Sequence, residues 1–144
     1  MTSCEVPLSN ATSDEIRDLL RTARRIAVVG HSDDPTRDSH RVGRYLATQG
    51  YQVFAVNPNG RDGAGLKFHP DLASVPGPID IVDIFRRPEA IPAIVDEAIR
   101  LRAKAIWMQE GLAHNAAATK ARAAGLLVVM SRCIMKEHRA LSLD

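Results

Sequence analysis

Apolar residues along this chain follow two alternating periods, one of helices and one of strands. Thr12-Ser13-Asp14-Glu15 has the spacing of a capping box, and Ile16, Leu19, Leu20 and Ala23 follow with helical period, so a helix precedes the first strand. Ile26-Ala27-Val28-Val29 is a continuous apolar run ending in Gly30, the pattern of a strand covered on both faces. Beyond a loop from Gly30 to Asp38, Ser39 is expected to cap a helix that turns Val42, Tyr45 and Leu46 inward and stops at Gly50. The next strand, Tyr51 to Val56, runs into Asn57-Pro58-Asn59-Gly60, a cluster of turn formers.

Residues 57–65 read as an exposed loop and Pro70 to Ser74 as a turn of helix before Pro76-Gly77-Pro78. Ile79 to Phe85 is then a third strand, and Glu89 to Arg102 a helix with Pro88 and Pro92 near its start, where proline is tolerated. Ala105 to Met108, a helix His114 to Ala124, a strand Leu126 to Met130 and a tail helix Ile134 to Leu141 complete the pattern. Strands separated by helices need right-handed crossovers, which predicts an α/β fold with one open, mainly parallel sheet and helices on both faces. Residues 1–12 are expected to be a flexible lead-in, and 13–144 a single domain.

Composition narrows the function classes. Of 144 residues 45% are hydrophobic and 25% charged, which excludes disordered, collagen-like and coiled-coil chains. A net charge of +2 and only 4% aromatic residues argue against nucleic-acid binding. No apolar run approaches the ~20 residues of a spanning helix. The first residues have neither the basic start nor the apolar stretch of a secretory signal, so the cytoplasm is the expected compartment and no membrane partner is expected. Cys4 and Cys133 match no paired-ligand spacing, so neither a disulfide framework nor a metal site is expected.

In such a sheet ligands bind beyond the carboxyl ends of the strands, at the switch in strand order. The segments falling there are Gly30 to Ser39, Asn57 to Gly60, Phe85 to Pro88, Gln109 to Gly111 and Ser131 to Cys133. A helix start near Ser39 offers free N–H groups, and Arg37, Arg86 and Arg87 offer planar forks, so this edge suits a phosphorylated ligand. Arg44, further into a helix, reads as a solvated charge. The dinucleotide fingerprint is missing: Ser32 and Pro35 stand where its second and third glycines belong, and Val56-Asn57-Pro58 supplies no acidic residue for a ribose.

In Ile26-Ala27-Val28-Val29-Gly30-His31-Ser32, Pro35-Thr36-Arg37-Asp38-Ser39, Val56-Asn57-Pro58, Val82-Asp83-Ile84-Phe85-Arg86-Arg87-Pro88-Glu89, Trp107-Met108-Gln109-Glu110-Gly111 and Arg132-Cys133-Ile134, the chain resembles the small stand-alone CoA-binding proteins. Their fold is similar to the N-terminal CoA-binding domain of the succinyl-CoA synthetase α subunit. The resemblance covers roughly residues 13–140. It implies a Rossmann-like fold with coenzyme A or an acyl-CoA at the strand ends, held by a set comprising Gly30, His31, Ser32, Arg37, Ser39, Asn57, Pro58, Phe85, Arg86, Arg87, Gln109 and Gly111. Ser131 departs from it, since such proteins more often carry Asp before Arg-Cys.

No catalytic residue is expected. His31 reads as a surface residue or hydrogen-bond donor, and His40 and His138 as helix-face residues. Asp83 lies inside a strand, where a charge needs a partner or solvent. A thiol at Cys133 beside Arg132 would gain thiolate character and could exchange with the disulfide of oxidised CoA, forming a mixed disulfide at Cys133 and releasing one CoA thiolate; the other reading is a packed, inert thiol. The rival readings are an NAD(P)-dependent enzyme and a regulatory or interaction module that no longer binds a ligand.

Overall fold

The computed structural model describes residues 5–63 and 65–141. Its elements are α1 (Ser13–Thr22), β1 (Arg25–Val29), α2 (Asp38–Thr48), β2 (Gln52–Val56), β3 (Phe68–His69), β4 (Ile81–Ile84), α3 (Ile91–Arg100), β5 (Ala105–Met108), α4 (Asn115–Ala123), β6 (Leu127–Val129) and α5 (Ile134–Leu141). Single 3-10 turns fill Leu72–Ser74 and Pro88–Ala90. All strand pairs are parallel, in the order β3-β2-β1-β4-β5-β6, so the chain reverses its direction of winding between β1 and β4. This is the predicted Rossmann-like α/β domain.

Alternation along each strand sends its side chains to two cores. Ala27, Val29, Val82 and Ile84 pack with Ile91 and Val95 of α3 and Ala117, Ala118 and Ala121 of α4. Ile26, Val28, Ile81 and Trp107 pack with α1, α2 and α5 through Ile16, Leu20, Val42, Leu46 and Ile134. The capping box of α1 is present, with Thr12 Oγ1 accepting the Glu15 N–H at 3.1 Å and Glu15 accepting the Thr12 N–H at 2.8 Å.

Several local expectations are corrected. The N-cap of α2 is Arg37, whose side chain makes no cap bond, and Ser39 lies in the first turn with its Oγ accepting the Ser32 N–H at 2.9 Å. Phe68 and His69 form a sixth strand too short to show a period. His114 is the N-cap of α4, its Nδ1 accepting the Ala117 N–H. Residues 5–10 are tied to the domain: Glu5 and Leu8 bond Asn115, and the Asn10 amide bonds both the N–H and the carbonyl of Met130.

Gly30 marks the seam at the switch point. Its φ is +90°, and a Cβ there would stand 2.4 Å from the carbonyl oxygen of Phe85. Only glycine lets the ends of β1 and β4 approach so closely. The Gly30 N–H reaches Val56 O and the Phe85 N–H reaches Val29 O, both at 2.8 Å, so the ladders run to the very edge where the loops begin.

Candidate functional site

Three adjoining hollows follow the carboxyl edge of the strands. The first lies over β1 and the start of α2, lined by Gly30, Ser32, Arg37, Ser39 and Phe85. A larger cavity of about 660 Å³ continues from it across Phe85, Arg86, Arg87 and Gln109 to Cys133 and Lys136 of the last loop and helix. That size lies within the range of small-molecule sites. On the other face of the sheet Arg86 also borders a mostly apolar slot made by Val29, Val56, Pro58, Leu72 and Ile94. Phe85 and Asp38 border both of the first two hollows, while Arg86 joins the larger cavity to the slot.

The chemistry of the first two hollows is cationic. Arg86 and Arg87 are exposed at the end of β4 and have no ion-pair or hydrogen-bond partner among the described residues. Arg37 is likewise exposed with no ion-pair or side-chain hydrogen-bond partner among the described residues, whereas Arg41 pairs with Asp38, and Lys136 with Glu110 at 3.0 Å, a contact that raises the Lys136 pKa. An anion arriving here therefore meets three uncommitted guanidinium forks, of Arg37, Arg86 and Arg87, and the open N-terminus of α2. The slot on the opposite face suits a flat apolar group, with Asp71 and Glu97 at its margin.

Most of the predicted residues come together here, and three do not line these hollows. Gly30, Ser32, Arg37, Ser39, Phe85, Arg86, Arg87, Gln109 and Pro58 line one or more of them. Gln109 is nearly buried, and its Oε1 accepts the Ile134 N–H, fixing the start of α5 against β5. Asn57 acts from behind: its Nδ2 donates to His31 O at 3.0 Å and its Oδ1 accepts the Asn59 N–H. Gly111 donates to Ser131 Oγ at 3.1 Å, so a hydroxyl at position 131 supplies the acceptor in that turn.

His31 is the largest departure from expectation. It is wholly buried rather than on the surface, and His40 is buried beside it. Asp83 overturns its expectation in the opposite sense: it is fully buried in mid-sheet, and neither carboxylate oxygen has a hydrogen-bond partner among the described residues. Burial, which disfavours the charged form, pushes its pKa well above the ordinary 3.8. Asp80, three residues earlier, does cap the sheet edge, accepting the Arg24 and Arg25 N–H groups and pairing with Lys104.

Lys136, Met135 and Leu112 line the larger cavity although the sequence reading did not single them out. The spacing of Cys133 and Lys136, one turn apart at the start of a helix, was the available signal. No cluster of three His, Cys, Asp or Glu residues that could hold a metal occurs among the described residues, and no helix among them is long and apolar enough to cross a membrane.

A switch point bordered by a glycine seam, a helix N-terminus and free arginines defines a parallel α/β domain whose strand ends are open to an anionic ligand. The model of the CoA binding domain family matches residues 24–139, and the chain belongs to that family. The Bacillus subtilis protein YneT is 37% identical over 131 residues, covering 91% of this chain and 97% of its own. A hypothetical protein from Pyrococcus horikoshii superposes with a TM-score of 0.88 at 37% identity, over 99% of both chains. The dinucleotide-forming acetyl-coenzyme A synthetase 1 of Candidatus Korarchaeum cryptofilum shares the fold, with a TM-score of 0.65 at 24% identity over 77% of this chain and 27% of that one.

Proposed function

We propose that this protein binds coenzyme A or an acyl-CoA along the groove formed by the three hollows and performs no chemistry on it with its own side chains. The observation that carries this reading is the joining of an apolar slot to a cationic cavity by Arg86 at the switch point. A ligand with a flat base, a diphosphate and a long thin arm matches that sequence of environments. The base fits between Val56, Leu72 and Ile94, with Asp71 or Glu97 near enough to the margin to serve ribose hydroxyls. The phosphates fit the N-terminus of α2 with Arg37, Arg86 and Arg87, and the arm follows Phe85 toward Cys133. Among the described residues no hydrogen bond joins the Cys133 thiol to a base, and Lys136 beside it is paired with Glu110, which favours a carrier or sensor over an enzyme.

Thermal shift and calorimetry with CoA, acetyl-CoA, NAD and NADP test the reading. CoA at a hundred times its dissociation constant is expected to stabilise the protein by about 2.7 kcal/mol, and NAD to do nothing comparable. Equal stabilisation by NAD, or none by CoA, overturns it. Arg86→Ala with Arg87→Ala is expected to weaken CoA by about tenfold or more, the scale of one lost charged hydrogen bond. Unchanged affinity in that variant would remove both arginines from the site.

A further inference from the structure

The loop after β1 is closed from behind by two imidazoles that share one carbonyl. His31 Nδ1 lies 2.8 Å and His40 Nδ1 3.0 Å from Ser32 O, and a carbonyl can only accept, so both neutral rings carry their proton on Nδ1. The rings meet edge to face at 5.4 Å, and Phe68 of β3 packs edge-on against His31 at 5.6 Å. That leaves Nε2 of His31 as a bare lone pair. It is buried, has no hydrogen-bond partner among the described residues, and points at α2 so closely that a Cβ on Gly43 would stand 2.4 Å away.

The same residue ties the walls of the first hollow together. Its backbone carbonyl accepts Asn57 Nδ2 from the loop after β2, and the Ser32 N–H that follows donates to Ser39 of α2. Asp34 closes the loop through its N–H to Ser32 Oγ at 3.0 Å. We infer that His31 is a proton-operated latch: as a neutral ring it locks the loop against α2, and a proton on Nε2 unlocks the loop and lets the ligand go.

The physical reason is the absence of any acceptor for that proton. Among the described residues, the ring meets His40 and Gly43 from α2, Phe68 from β3 and the Ser32 carbonyl beside it. None offers a negative charge. The loop's own carboxylates bond elsewhere, Asp34 with the Thr36 N–H and hydroxyl and Asp33 with the Arg61 N–H, and the charge of Asp34 acts on His40. An imidazolium at this point must therefore reach water, and it can do so only by withdrawing from α2 and taking Ser32 with it. Burial holds the His31 pKa below the ordinary 6.5; the Ser32 carbonyl pulls it up and His40 pushes it down again. The closed loop thus has its full stability above pH 6.5 and loses it as pH falls toward the lowered value of the closed form.

The release of ligand rests on the CoA reading above, whereas the opening of the loop does not, and the two are measured separately. Native-state hydrogen exchange of the Ser32 and Asp34 amides in the ligand-free protein, corrected for intrinsic rates, reports loop opening. Between pH 7.5 and 5.5 the opening constant is expected to rise about tenfold, the ratio for an open ring titrating near its ordinary value. His40→Gln is expected to keep this dependence and His31→Gln to lose it. If H31Q does not fold, a long-range proton–nitrogen correlation on the wild type decides: a neutral Nδ1–H tautomer for His31 at pH 5.5 supports the latch. A pH-independent opening constant, or an Nε2–H tautomer, overturns it. CoA failing to bind at either pH would overturn the ligand reading, while the exchange data still decide the latch.

Discussion

The two faces of the sheet are built from different material. Against α3 and α4 the core is apolar throughout, and the alanines Ala98, Ala117, Ala118 and Ala121 pack within it. Against α1, α2 and α5 the same strands present Ile26, Val28 and Trp107, but also Asp83, which shares the face of Ile81 by alternation. At the carboxyl end of this second face stand His31, Ser39, His40 and Gln109, all buried and polar. The comparison separates two jobs. The apolar face supplies rigidity and the apolar slot, while the mixed face supplies the loop anchors and the charged cavities.

The seam between the faces is where a single change should cost most. Gly30→Ala places a methyl against Phe85 O and forces an L side chain at φ +90°. The expected loss is about 3 kcal/mol, read from urea unfolding. A loss under about 1 kcal/mol would show that the ends of β1 and β4 can part freely, and the close approach would lose its importance.

Asp83 sharpens the contrast because it breaks the rule of its own surroundings. Between Val28 and Trp107 in register, it is a buried carboxyl without a partner. Its folded pKa is raised above the ordinary 3.8, so its contribution is most favourable below pH 3.8 and is lost as pH rises through the folded value. Asp83→Val is therefore expected to stabilise the protein at pH 7 by about 1–3 kcal/mol, and to flatten the fall of stability with rising pH. If the variant instead unfolds more easily, Asp83 has a partner in solution and the mixed face is better satisfied than its geometry indicates.

These two positions also show what the sequence made legible. Five strands and five helices were visible because an apolar run or a 3.6-residue period spans each of them, and the switch-point rule then brought the right loops together. Gly30 and Asp83 both stood out locally, one as a strand-end glycine and one as a charge inside a strand. What surrounds them did not, since partners come from distant segments. Asp80 found Lys104 and two backbone N–H groups, whereas Asp83, in the middle of the sheet, found nothing. The burial of His31 was hidden because loops are read as exposed. Its trace is Gly43, a helix-interior glycine that costs about 1 kcal/mol and makes room for the ring. Phe68 and His69 could not register as a strand at two residues, and their pairing with β2 decides them.

Arg86 and Arg87 test the comparison from the other side, because they belong to neither core. Both are exposed and unpartnered among the described residues, so replacing them with alanine is expected to change unfolding free energy by no more than about 0.5 kcal/mol in the absence of ligand. A larger loss would make them structural and would weaken the inference that they are kept free for an anion.

The smallest effect on the fold, and the finest reading of the groove, is expected at Cys133. Its thiol is half-buried and lines the larger cavity at the end furthest from the apolar slot. Alkylation there should leave stability nearly unchanged, because the side chain packs at the margin of the mixed core, but its rate depends on whether anything occupies the cavity. With CoA at a hundred times its dissociation constant, the labelling rate at Cys133 by iodoacetamide is expected to fall by about two orders of magnitude, following the free fraction of the site. NAD at the same concentration is expected to leave the rate alone. Cys4 lies outside the described residues, so site-resolved mass spectrometry is needed to separate the two thiols. A rate at Cys133 that CoA does not slow, in a protein that CoA does stabilise, would mean that the ligand's arm ends before the last loop, and the groove would be shorter than the hollows suggest.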